Sequence, residues 1–124
     1  MSVPEDVLGG AEVQLLEHTN AYAAFAQEGR RFDPVAILRV EDTQGNVLEE
    51  WKPRPAQKAM DENIARTVTN ILSDNAARAY VFGENSYLQL GGRPVAAKTG
   101  TTNDSRDAWL VGYTPSLAVG VWAG

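Results

Sequence analysis

The chain has no cysteine and a single histidine, His18. A disulfide framework is thereby excluded, and a metal site of cysteine and histidine ligands lacks its parts. The missing cysteines leave the compartment open. Positive charge is also in short supply. Eleven lysines and arginines stand against sixteen acidic residues, for a formal charge of −5. The basic residues are scattered, which argues against a binder of nucleic-acid backbones. No apolar run approaches the length of a membrane span, and the opening MSVPEDVLGG is too short and acidic for a secretory signal. If the protein works outside the cytoplasm, its address or membrane anchor is expected on sequence N-terminal to these residues. Internal repeats and low-complexity tracts are absent too.

What remains is one ordinary domain's worth of chain, 124 residues at 44% hydrophobic content, enough to form a core. From Ala11 to Gln27 apolar residues recur at roughly helical spacing, at Val13, Leu15, Leu16, Ala21, Tyr22, Ala24 and Phe25, and Gly29 supplies a stop. Two β-prone runs, Val35–Val40 and Val47–Trp51, flank Asp42-Thr43-Gln44-Gly45-Asn46 and predict a hairpin. After the proline-punctuated KPRPAQK, a second helix is expected with Asp61 as N-cap and Ile64, Val68, Ile71 and Leu72 as its buried stripe. It should fray through Asn75–Tyr80 and end by Gly83. Three further strands follow, Val95–Thr101, Ala108–Tyr113 and Leu117–Trp122, joined by turns short enough for antiparallel neighbours. Helices followed by a terminal antiparallel sheet predict an α+β fold rather than alternating βαβ units.

The chemistry concentrates in PVAAKTGTTNDSRDAWLVGYTP, from Pro94 to Pro115. A lysine beside hydroxyls and a glycine suits either a phosphate loop or an edge that grips a carboxylate. Gly92 to Thr99 is one residue from the phosphate-loop pattern, with Ala97 where its last glycine belongs. Such a loop must open a helix, whose N-terminal amides meet the phosphate. Thr-Gly-Thr-Thr-Asn-Asp follows instead, with almost no helix propensity. The carboxylate reading asks for less. On a strand, Lys98 and Gly100 face one way and Thr99 and Thr101 the other. The threonine pair can donate two hydroxyl hydrogen bonds to an anion, the lysine adds positive field, and Gly100 leaves room for a substrate backbone. For an isolated tripeptide, a plain strand end running into a turn would be the simpler reading.

The tripeptide is not isolated. GGRPVAAKTGTTNDSRDAWLVGYTPSLAVGVWAG resembles the C-terminal part of the transpeptidase domain of bifunctional, class A penicillin-binding proteins. LGGAEVQLLEHTNAYAAFAQEGRR is similar to that family's Leu-Gly-Gly helix, and RVEDTQGNVLEEW and ILSDNAARAYVFG match further segments in the right order. The resemblance runs from Val7 to Gly124. It implies a peptidoglycan-cross-linking serine acyltransferase of the cell envelope, acting outside the cytoplasm and needing neither cofactor nor metal. Its partners would be the stem peptide and the β-lactams that imitate it, with no nucleic acid. The family's three motifs are S-x-x-K, S-x-N and K-T-G. Lys98, Thr99 and Gly100 match the third. The resemblance assigns Lys98 to proton traffic as the catalytic residue, and Thr99 and Thr101 to the substrate carboxylate. Gly100 and the strand backbone would pair with the peptide.

One departure is serious. None of the five serines, Ser2, Ser73, Ser86, Ser105 and Ser116, has a lysine three residues later, so S-x-x-K is absent and no acyl-enzyme can form on this chain. Ser73-Asp74-Asn75 spells the second motif, but it falls downstream of the Leu-Gly-Gly helix, whereas the family places the motif upstream; it reads as a solvated helix end. His18 is expected to face solvent or pair along its helix, Asp107 to close a turn or pair with Arg106 or a neighbouring strand, and Trp109, Tyr113 and Trp122 to pack on the sheet. Asp104 and Asp107 only look like paired carboxylates. Residues 1–124 are thus expected to be a C-terminal fragment of a transpeptidase domain, inactive alone, with both serine motifs elsewhere and sheet edges open to association. The alternatives are a non-catalytic peptidoglycan-binding module or part of a serine β-lactamase.

Overall fold

The computed structural model describes residues 13–102 and 106–124. Ser2, Leu8-Gly9-Gly10, Ala11 and Glu12 of the expected opening helix, and the turn residues Asn103, Asp104 and Ser105 lie outside the described residues, while Val13 and Gln14 are described and precede the helix. Helix α1 spans Leu15–Ala26. Ala24 is buried, and Tyr22 and Phe25 half-buried, so the apolar spacing does set the inner face. Gly29 ends the helix at φ +85°, and a Cβ there would lie 2.6 Å from the Met60 carbonyl oxygen. That carbonyl can approach because Gly29 has no side chain, and Gly29 O in turn accepts the amides of Ala59 and Met60. The same junction pairs β1 (Arg30–Arg31) with β4 (Gln57–Lys58), a short ladder with no strand-like sequence signal.

The expected hairpin forms, but with shorter strands, β2 (Arg39–Glu41) and β3 (Val47–Glu50). In the Arg39↔Glu50 register, Ala36 would fall opposite Pro53, which has no amide to donate, so the ladder stops short of Val35. The loop is closed by the Asp42 carboxylate, which accepts from Gln44 N at 2.8 Å, Asn46 N at 2.9 Å and Asn46 Nδ2 at 2.8 Å. These hydrogen bonds, led by those from Asn46, hold the Asp42 carboxyl below its usual pKa.

Helix α2 spans Glu62–Ser73, and Asp61 caps it by accepting from Asn63 N at 2.9 Å. Its inner face is only partly the expected one, keeping Val68 and Leu72 but not Ile64 or Ile71. Ile64 and Ile71 are 57% and 65% exposed, while Ala65 is fully buried and Val68, Thr69 and Leu72 are half-buried. The inward face overlaps one side of the apolar stripe and is rotated toward Ala65 and Thr69, because Thr69 bonds the Tyr113 hydroxyl at 2.9 Å and Ala65 allows close approach. Nor does the helix fray beyond Ser73. Asp74 accepts from Ala77 N at 3.0 Å and starts a separate helix α3 (Asn75–Phe82), which Gly83 ends at φ +77°. Ser-Asp-Asn here is a helix-to-helix junction, and the Ser73 hydroxyl donates to Asn70 O.

The C-terminal sheet matches its expectation closely. It is antiparallel, in the order β5 (Ala96–Thr101), β6 (Ala108–Thr114), β7 (Leu117–Ala123). Lys98 pairs with Val111 and Val111 with Gly120, so these three lie on one line across one face. Val111 is 2% exposed, and Gly120 lies against Thr19 and Leu15, so this face looks toward the helices. Tyr113, on the same face, packs against Tyr22 and Phe25. No helix among the described residues is long and apolar enough to cross a membrane.

Candidate functional site

Among the described residues β5 has β6 on one side and no strand on the other, so Lys-Thr-Gly-Thr lies on an open sheet edge. Lys98 and Thr101 are exposed, and Thr99 and Gly100 half-buried. The Lys98 ammonium donates to the carbonyl of Thr99. Gly100 and Trp109 are partners, and a Cβ on Gly100 would meet Trp109 Cβ at 3.4 Å. Lys98 and Gly100 share the helix-side face, with Thr99 and Thr101 on the opposite face. Lys98 is not enclosed by helices.

Register also fixes where the backbone points. Thr102 N donates to Asp107 O at 3.1 Å, one step beyond the Thr101↔Ala108 pair. In an antiparallel ladder, hydrogen-bonded and non-hydrogen-bonded pairs alternate. Lys98 and Gly100 therefore spend their backbone groups on β6, and Thr99 and Thr101 turn theirs to the open edge. Along that edge stand two outward amides, the Thr101 carbonyl and the two threonine hydroxyls, while the Thr99 carbonyl accepts from the Lys98 ammonium.

The end of this strand is fastened by side chains. Asp107 N donates to Thr102 Oγ1 at 3.0 Å, and that hydroxyl donates to Asp107 Oδ2 at 2.8 Å. Asp107 Oδ1 accepts from Trp122 Nε1 at 3.0 Å, on β7. Asp107 thus closes the turn, as expected, and also ties it to a neighbouring strand; Asp104, its would-be carboxylate partner, lies outside the described residues. Sequence reading missed Thr102; only its offset from Asp107 across the turn could have pointed to it.

The remaining residues singled out above have structural neighbours. His18 is half-buried between Tyr22 and Trp109, at centroid distances of 5.2 and 5.5 Å, both edge-to-face. Trp109 and Trp122 lie 6.5 Å apart. Ser73 lines a separate cleft of about 650 Å³ that includes Arg66, Thr69, Ala96 and Tyr113 but not Lys98, Thr99 or Thr101. Among the described residues, no group of three or more His, Cys, Asp or Glu side chains converges to hold a metal ion.

The penicillin-binding protein transpeptidase domain is the family model that matches, over residues 8–123. The chain belongs to that family. Penicillin-binding protein 1A of Mycolicibacterium smegmatis is 39% identical to it, covering 95% of this chain and 15% of the relative. Penicillin-binding protein 2D of Bacillus subtilis is 34% identical, covering 99% and 18%. Among solved structures, penicillin-binding protein PonA1 of Mycobacterium tuberculosis superposes with a TM-score of 0.79 at 34% identity, over 94% of this chain and 31% of that one. PonA1 has also been solved in complex with penicillin V, with a TM-score of 0.77. This penicillin-binding transpeptidase segment therefore spans about a third of the solved PonA1 chain and less than a fifth of these two curated relatives.

Proposed function

We propose that the chain supplies one wall of a D-Ala-D-Ala transpeptidase site of the cell envelope, outside the cytoplasm. The observation that carries the proposal is the open β5 edge bearing Lys98-Thr99-Gly100-Thr101, with Lys98 exposed and the Thr99 and Thr101 backbone groups turned outward from β6. A stem peptide ending in a carboxylate lies along that edge as an added strand. Its carboxylate takes hydroxyl hydrogen bonds from Thr99 and Thr101 within the field of Lys98. The outward amide of Thr101 donates to the carbonyl oxygen as negative charge develops on it.

A serine supplied from outside these 124 residues attacks that carbonyl, since no serine of this chain sits in an S-x-x-K motif. D-Alanine leaves with a proton, and the acyl group passes to an amine of a second stem. Lys98 stands where it can order the proton network of the attacking hydroxyl. β-Lactams enter the same groove and leave the serine acylated; the penicillin V complex of PonA1 supports this reading. Without the serine, the 124-residue chain is inactive by itself, and residues 1–124 act as a C-terminal part of the domain.

The test is a chimaera in which residues 8–123 replace the matching segment of the Mycolicibacterium smegmatis relative. Fluorescent penicillin should label the chimaera covalently and leave the 124-residue chain unlabelled. Lys98→Ala in the chimaera should slow labelling by about 10²-fold or more. A folded chimaera that takes no label, or one labelled equally fast without Lys98, overturns the proposal.

A further inference from the structure

An edge strand is tied to its sheet on one side only, so its last residues depend on whatever fastens the turn beyond them. At the end of β5 the next ladder rung is incomplete in the backbone. Thr102 N reaches Asp107 O, but the return bond from Asp107 N goes to the Thr102 hydroxyl. The hydroxyl then donates to Asp107 Oδ2, closing a ring that fixes its rotor. The other carboxylate oxygen holds the Trp122 indole. One half-buried carboxylate thus links the residue after β5, the residue before β6, and β7. Its anchor, Thr102, is covalently adjacent to Thr101, whose amide faces the open edge and whose hydroxyl lies on the sheet face away from Lys98.

We propose that Asp107 is a positioning residue for substrate: through Thr102 it sets where the Thr101 amide and hydroxyl stand, without touching the ligand. This rests on the carboxylate-gripping role of β5 proposed above. A turn could be closed by its backbone alone. Here the side chains make three of the four bonds, so their loss leaves the strand paired up to Thr101 but its tip free to shift. Misplacing reacting groups by about 1 Å costs on the order of 10²-fold in rate, far more than the same shift costs in stability.

Two measurements separate positioning from simple support. In the 124-residue chain, Thr102→Val should speed amide hydrogen exchange at Gly100 and at residue 102 by about tenfold, the loss expected from one hydrogen bond, and leave α2 unchanged. In the chimaera, Thr102→Val and Asp107→Ala should slow acylation by fluorescent penicillin at least tenfold. Thr102→Ser, which keeps the hydroxyl, should restore it to within about threefold, as a retained hydrogen bond requires. Tyr113→Phe serves as the control: it removes the Thr69 hydrogen bond at the far end of β6 and should lower the melting temperature without changing the acylation rate. Acylation of Thr102→Val at the parent rate, or slowed no more than in an equally destabilised Tyr113→Phe, overturns the inference while leaving the transpeptidase reading intact. An unlabelled but folded parent chimaera removes both.

Discussion

Gly120→Ala tests the packing that sets the helix layer beneath β5. A Cβ at Gly120 would overlap Thr19 Oγ1, well inside van der Waals contact distance, and would lie 3.1 Å from Leu15 Cδ1 and 3.2 Å from Thr19 Cβ. The hydroxyl cannot swing aside freely, because it donates to Leu15 O at 2.7 Å, and no rotation moves the Thr19 Cβ. Helix α1 must therefore lift from β7. Overpacking of this kind costs about 1–3 kcal/mol, and for a chain of this length each kcal/mol lowers the melting temperature by about 4 °C. Gly120→Ala should thus melt about 4–12 °C below the parent by circular dichroism. Thr19→Ala relieves the closest contact, so the double variant should recover part of the loss, with a coupling of at least about 0.5 kcal/mol in a double-mutant cycle. A Gly120→Ala protein that melts with the parent, or purely additive effects, would show that α1 does not rest on β7 as described.

Two further outcomes are expected. Asp74→Ala should cost about 1 kcal/mol of helix-cap stability, seen as faster amide exchange at Ala77 and through α3 with α2 protection retained. Burial raises the pKa of Tyr22 and of Tyr113 above the ordinary value of 10.0. A raised pKa contributes stability that is present below the unfolded value and lost as pH rises through the folded one. Phenolate absorbance should therefore show late-titrating tyrosines in the folded chain, one fewer in Tyr113→Phe, together with falling stability above about pH 10. Coincident titration of folded and denatured chains would contradict the burial.

The sheet was legible from the sequence because two signals coincide there: apolar runs of strand length, and turn residues at the right intervals. Asp61 and Gly29 were legible for a similar reason, since a cap and a positive-φ stop are local chemistry. The inner face of α2 was legible only in part. Periodicity identifies an apolar stripe at Ile64 and Ile71 but not what lies against it, and here the pairing of Thr69 with Tyr113 turns the helix so that Ala65 points inward. Asp74 was hidden because an N-cap and a helix interior differ by one backbone angle, which no spacing rule registers. At the site, the alternation of Lys98 and Thr99 followed from strand geometry alone. The Thr102–Asp107–Trp122 link did not, since it depends on two strand registers at once.

An open edge able to receive a peptide backbone is equally able to receive the edge of another copy. On β5 the guard against such growth is the charge of Lys98, exposed midway along an otherwise uncharged strand. Two strands meeting there would bring like charges together, whereas a peptide ending in a carboxylate is drawn in. On the proposed reading of β5, the same ammonium would sort what adds to the sheet. Neutralising it removes a barrier to fibril-like stacking along with a chemical group, so light scattering belongs beside any activity measured on a Lys98 variant.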